Sequence, residues 1–466
     1  MSDISKYRTK PTAIPVINQN SFKRFGLSEN PFPAAPTINQ ESEDARYNGD
    51  IYERYIRQSE REKIVRDFLS VPQNDINHLR LGYLIDTSYI GRGNGKSAFL
   101  VNIQKEINRD FCLTISNGVN RCFALTISPE PSGRTKTFAN FVDLFAETIF
   151  KGSLIEDVLA TLRLEAILTV DSNFSVENNF DNEEDLRIKL NSERWFDDTK
   201  TDYRKVHQQI LSNPYLQSLP PEFPLYVSNM LINRFSTKEG FIKYYHSLKP
   251  GKPRIEFVFS QLVSLLLAAN YNGAYIFVDD FERIPDFQSE RQKRDFALEL
   301  RTCLFDGGYT NSRIGFYNFL LVLHAGVPRL IQKAWEQSGL EHRTPMFYKG
   351  TPRHIIPFEK ITLEHVFLLV QKYLDEYRIN PDEKRTLTPF TKEAISRIAE
   401  QSEFNASRIL KTCYEVLERA VSQEAQEIDL DFLNTADELS FDEGIQSSGI
   451  HDAPTRNLMD SAHNEA

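Results

Sequence analysis

The chain has 466 residues, 40% hydrophobic and 26% charged, an ordinary globular composition that excludes a wholly disordered protein. Its formal charge is −10, but residues 421–466 hold eleven acids against the single base Arg456, while residues 1–420 hold 54 acids and 54 bases. The imbalance therefore describes a tail and not a binding surface.

Four scattered cysteines without a CxxC argue against a disulfide framework and for a reducing cytoplasm. The start, MSDISKYRTK, has no apolar signal core. The longest apolar stretch, FVFSQLVSLLLAAN, falls short of the ~20 residues of a membrane span. A cytoplasmic protein with no membrane association is expected.

Residues 1–50, rich in Pro, Asn and Ser, predict an extended lead-in lying on the surface of a domain. Residues 50–69 carry apolar side chains at helical spacing: Ile51, Tyr55, Ile56, Ile64, Val65 and Phe68. A strand over 79–90 then ends in the glycine cluster GRGNGKS, and 97–107 resumes a helical pattern. A second strand is expected at 121–127 and a helical stretch from 138 to about 168.

Residues 170–254 are polar and punctuated by prolines, which predicts a mostly helical insertion. Its aromatics, such as Phe241, Tyr244 and Tyr245, would close a core of its own. Regularity returns with a helix at 255–270, a strand at 274–278, a helix at 292–304, a strand at 319–323, a helix at 327–338 and a short strand at 354–358. This alternation predicts a doubly wound parallel α/β core over 51–169 and 255–358. A small all-α domain over 359–422 and an acidic, disordered tail over 423–466 would complete the chain.

Gly93-Asn94-Gly95-Lys96-Ser97 is the strongest chemical signal. Glycines let backbone N–H groups approach phosphates, a lysine reaches the β/γ-phosphates, a serine hydroxyl ligates Mg²⁺, and the next helix faces the anion with its N-terminus. The full pattern GxxxxGK[ST] would need glycine where Ile90 stands, so Gly91 and Gly93 are expected to supply the turn. The second signal is YIFVDDFE, an apolar strand with acids at its carboxyl end. Asp279 would hold Mg²⁺ through water and Asp280 would orient or polarise the attacking water. Asp280 is one methylene shorter than a glutamate, which leaves Glu282 as a substitute base. No HExxH or GxSxG motif offers a competing chemistry.

Together, GRGNGKS, YIFVDD and the later helices resemble an AAA+ P-loop ATPase. The likeness is nearest to origin-recognition and transposition-type ATP-binding proteins, including bacterial phage-defence ATPases. FGLSENPFP is similar to the lead-in of such proteins, and the resemblance covers roughly residues 25–170 and 255–420. It implies a P-loop NTPase core with a helical lid, ATP and Mg²⁺ as ligands, and four further residues. His324 would be the polar sensor after a strand, and Arg408, in NASR, the lid arginine reaching the γ-phosphate. Arg343 or Arg353, with Arg343 preferred, would be a finger acting on a neighbouring subunit, which implies a homo-oligomer.

Origin-recognition relatives carry a winged helix after the lid. Here only a net-acidic stretch of about 46 residues follows, so contact with DNA would come from elsewhere or through a separate protein effector. Three readings follow: an oligomeric ATPase in a DNA transaction or anti-phage defence system, a nucleotide-held signalling switch, and a scaffold with a structural nucleotide.

Overall fold

In the computed structural model the described residues are 19–71, 75, 77–88, 92–225, 235–346 and 352–440. Five strands, β1 (Leu81–Asp86), β2 (Cys122–Ile127), β3 (Gly273–Val278), β4 (Tyr317–His324) and β5 (Ile355–Phe358), form one all-parallel sheet in the order β2-β3-β4-β1-β5. The strands are almost wholly apolar because both faces are covered. Leu81, Tyr83, Ile276, Val278, Phe319 and Leu321 point to one face, beneath helices Phe138–Lys151, Leu154–Val170 and Glu290–Leu304. Leu84, Tyr275, Phe277, Leu320, Val322 and Ile356 point to the other. There they meet α1 (Lys96–Asn108) through Phe99, Leu100, Ile103 and Ile107.

This arrangement creates the crevice that matters. From β1 the chain turns to α1 on the second face. From β4 it turns to α2 (Val327–Ser338), whose Val327, Ile331, Ala334 and Trp335 pack on the first face. Because β1 and β4 are neighbours with connections leaving on opposite sides, their carboxyl ends part around a cleft, the usual ligand position in such sheets. Asp86 and His324 are direct register partners at its floor. Trp335 anchors α2 by donating its indole N–H to the Tyr83 hydroxyl at 2.9 Å.

Several expectations need correction. The helix expected over 50–69 is a 3₁₀ turn (Arg54–Arg57), an α-helix (Gln58–Ile64) and a π-turn (Val65–Leu69). The extra residue in the π-turn helps seat Phe68 against β1. A Cβ on Gly82 would lie 2.0 Å from the Phe68 ring, so only glycine fits there. The helical stretch from 138 breaks into two helices at Gly152–Ser153.

The described residues of segment 170–254 build no separate core. Leu190, Phe196, Val206, Ile210, Phe241 and Tyr245 join the same buried cluster as the first face of the sheet. The fully buried Arg163 ties this region together by donating to Leu190 O at 3.0 Å, Asn191 Oδ1 at 2.6 Å and Ser236 O at 2.6 Å.

By its contacts the chain divides into two units. The larger comprises 36–365 together with 405–407 and holds the sheet. The smaller comprises 1–35, 366–404 and 408–466, and takes in most of α3 (Leu363–Glu376), α4 (Lys392–Gln401), most of α5 (Ala406–Ser422), and α6 (Leu430–Ser440). Its core includes Val370, Leu374, Ile395, Ile398, Ile409 and Leu417.

Two segments expected outside any core belong to this unit. Phe22, Phe25, Leu27 and Phe32 of the lead-in are buried, and Phe32 packs against Tyr373 and Phe390. Asn30 fixes the register through Tyr414 O at 3.2 Å and Glu418 at 2.9 Å. Residues 423–440 of the acidic tail are folded: Ile428 is fully buried beside Phe390, and Asp429 accepts from Phe432 N at 2.9 Å at the start of α6. Residues 1–18 and 441–466 lie outside the described residues. Among those described, no helix is long and apolar enough to cross a membrane.

Candidate functional site

The crevice is lined by three strand ends and one glycine loop. Gly93 (φ 100°) and Gly95 (φ 86°) both occupy the left-handed region that favours glycine, and they turn the chain sharply into α1. Lys96 opens that helix. Among the described residues no side chain caps the helix start and no acid lies in its first turn. Its leading N–H groups and the positive end of the helix dipole therefore face the crevice, as a bound anion requires.

The lysine is already engaged. Its Nζ donates to Asp86 Oδ2 at 2.6 Å, and both side chains are buried. Ser88 supports the carboxylate from its amide at 3.0 Å and its hydroxyl at 2.5 Å. Burial pushes the Asp86 carboxyl up, but the charge and hydrogen bond of Lys96 outweigh it, so the group sits below the usual carboxylate range.

Asn94, almost wholly buried, is clamped by Arg57, whose guanidinium lies 3.8 Å over the Phe358 ring. Arg57 donates to Asn94 O at 3.0 Å, Asn94 Oδ1 at 2.9 Å and Glu359 O at 2.7 Å. The loop is thus bolted to the end of β5.

On the other side, Asn405 donates to Arg92 O at 2.7 Å, and Ser407 N donates to Gly93 O at 3.0 Å. A Cβ on Gly93 would lie 2.5 Å from Asn405 Oδ1 and 2.7 Å from Ser407 Cβ, in a backbone conformation that side chains avoid. Gly93→Ala is expected to cost roughly 1–3 kcal/mol of stability. Thermal unfolding would register this as a lowered Tm, whereas Gly118→Ala, which meets no neighbour, keeps only its backbone strain.

Asp279 closes β3 directly beside the loop. Ser97 Oγ donates to Asp279 Oδ2 at 2.5 Å, bringing together the two residues expected to hold Mg²⁺. Burial raises the Asp279 carboxyl, and Asp280 reinforces this against the opposing effect of Ser97. A pair of hard oxygen donors with one buried carboxylate suits Mg²⁺, so these residues fit the ion.

Asp280 sits at φ 48°, unusual for a side-chain-bearing residue, and pairs with Arg283. Glu282 is buried with both oxygens lacking an aligned hydrogen bond. His324 Nε2 lies 3.2 Å from Glu282 Oε1, close enough for charge attraction but off the line of a hydrogen bond. Its Nδ1 faces Asp86 Oδ2 at 4.0 Å.

The remaining candidates lie elsewhere. Arg343 is exposed and its charge bears on Arg80, which precedes β1, so it stands at the amino end of the sheet, away from the crevice of its own chain. Arg353, just before β5, lies 3.6 Å from Asp67, also at that end. Arg408 belongs to the smaller unit, where it pairs with Glu403 at 2.9 Å. Gly91 lies outside the described residues.

Sequence reasoning missed Asp86, Arg57, Asn405 and Ser407 as parts of the site. Asp86 had a signal, since LRLGYLID ends in an acid just as YIFVD does. Arg57 had none, because its role depends on a contact 37 residues along the chain. Compared with known protein families, curated proteins and solved structures, the chain has no match.

Proposed function

We propose that the chain is an ATP-binding and ATP-hydrolysing P-loop protein of the AAA+ type. In this reading it works as an oligomeric motor or switch in a DNA transaction or anti-phage defence system with a separate effector. The observation that carries the nucleotide part is the meeting of an uncapped helix start, Lys96, and the touching Ser97–Asp279 pair in one crevice. Loop amides and Lys96 would take the phosphates, and Ser97 and Asp279 would hold Mg²⁺, which supplies charge neutralisation of phosphate oxygens when bound. Asp280, Glu282 and His324 would orient the attacking water. The oligomeric and DNA parts draw on the motif resemblance.

One observation favours slow turnover, the signalling-switch variant. Lys96 is held by Asp86 and Asp280 by Arg283, so both groups must leave internal partners before acting. The test is equilibrium binding of ATP and ADP with Mg²⁺, phosphate release, and size-exclusion with and without nucleotide and duplex DNA. Mg²⁺-dependent ATP binding with phosphate release is expected. Failure to bind ATP would overturn the nucleotide reading. A monomer indifferent to nucleotide and DNA would overturn the oligomeric one.

A further inference from the structure

We propose that Asp280, Glu282 and His324 form a binding site for a first-row divalent transition ion, distinct from the hard-cation position at Ser97 and Asp279. This inference concerns the same crevice but stands on the three side chains alone and does not require nucleotide turnover. Two of the side chains follow β3 and the third ends β4. One donor atom from each lies within 4.8 Å of the others. An ion with bonds of about 2.0–2.1 Å sets its donors roughly 3.4 Å apart in a tetrahedron. The 3.2 Å between His324 Nε2 and Glu282 Oε1 already approaches that spacing.

The second observation is chemical. Glu282 is only 6% exposed, yet its Oε2 has no hydrogen-bond partner and the 3.2 Å approach of His324 Nε2 to its Oε1 is off the line of a hydrogen bond. Buried polar atoms left this way are costly, and a cation at their common focus satisfies all of them. On the far side of the imidazole, Asp86 Oδ2 faces Nδ1 at 4.0 Å. At that distance there is no hydrogen bond, but a small shift of the ring would give the carboxylate–histidine order which turns the other ring nitrogen towards a metal.

The donor set selects the ion. Mg²⁺ prefers six oxygens, whereas an imidazole with two carboxylates suits Mn²⁺, Fe²⁺, Co²⁺ or Zn²⁺. Asp280 gives one oxygen to Arg283, so its other oxygen would serve the ion.

The experiment uses the full chain, stripped with chelator and free of nucleotide, titrated with Co²⁺ and followed by visible d–d absorption and calorimetry. One tight Co²⁺ per chain is expected, with Mg²⁺ a poor competitor. His324→Asn and Glu282→Gln should each weaken Co²⁺ binding at least tenfold, while Lys96→Ala retains it. Circular dichroism checks that the variants fold. A readout free of variants is pulsed EPR of bound Mn²⁺ on the wild type, where coupling to an imidazole nitrogen is expected. No such coupling, or Co²⁺ binding unchanged in both folded ligand variants, overturns the proposal. Wild-type protein that binds Co²⁺ but not ATP would instead count against the nucleotide reading alone.

Discussion

Lys96→Ala is expected to lower affinity for ATP by roughly a hundredfold or more and to abolish measurable turnover, since a preorganised charge at phosphate oxygens contributes on that scale. Isothermal titration and phosphate release would measure both. The lysine also has a structural partner, so the loss of binding must be separated from a loss of fold. Removing it strands Asp86, a carboxylate 2% exposed, and breaking a buried ion pair costs about 3–5 kcal/mol. The support of Ser88 places the expected cost at the lower end of that range.

Lys96→Ala with Asp86→Asn removes both charges and should recover most of that stability without recovering ATP binding. The pH dependence follows from the direction of the shift. Asp86 is held below its ordinary value of 3.8, so the pair stabilises the fold above about pH 4 and loses its contribution as pH falls through the lowered value. In Lys96→Ala the largest lowering cause is gone and only the Ser88 hydrogen bonds still oppose burial, so most of this acid-sensitive contribution should disappear from the stability profile. If the double variant bound ATP as the wild type does, Lys96 would not be a phosphate ligand.

The parts of the molecule legible in the sequence were those whose signal is local. An all-apolar strand such as YIFV reads as buried on both faces wherever it occurs, and GNGKS reads as an anion loop because helix start, glycines and lysine are neighbours in the chain. What stayed hidden was decided by partners far along the chain. Phe32 looks like part of a proline-rich coil until Tyr373 and Phe390 supply its pocket. Ile428 sits in an acidic run whose composition suggests disorder, yet one buried isoleucine hydrogen-bonded to Pro389 and Thr391 suffices to extend the fold to α6.

The site divides in the same way. Lys96, Ser97 and Asp279 were named from motifs, but the pairing of Lys96 with Asp86 follows from the start of α1 meeting the end of β1. Asp86 and Lys96 are only ten residues apart, and what conceals their contact is the turn between them rather than distance. Arginines were the hardest to place, because the same residue type can stack, pair or stand in solvent. Arg57 does the first two and Arg343 the last.

Glu282→Gln is expected to cut ATP turnover by about 10²–10⁴-fold while leaving ATP affinity within a few-fold of wild type. The amide keeps the shape of the side chain and removes only its charge and basicity. Burial pushes the Glu282 carboxyl up, but His324, and more weakly Lys96, bring it below its ordinary value, so it is ionised at neutral pH and able to take a proton or orient a water. Asp280→Asn should cost less. Its carboxylate is committed to Arg283, and its backbone at φ 48° already suits asparagine.

The ranking is therefore the reverse of what the strand-end position of Asp280 suggests, and a larger loss from Asp280→Asn than from Glu282→Gln would refute it. A base and an ion ligand can also be told apart. If Glu282 acts only by holding a transition ion, wild type stripped of such ions and assayed with Mg²⁺ alone should be as slow as the glutamine variant, and added Co²⁺ should rescue only the wild type. If it acts on the water directly, stripped wild type should remain fast, and the variant should stay slow whatever ion is supplied.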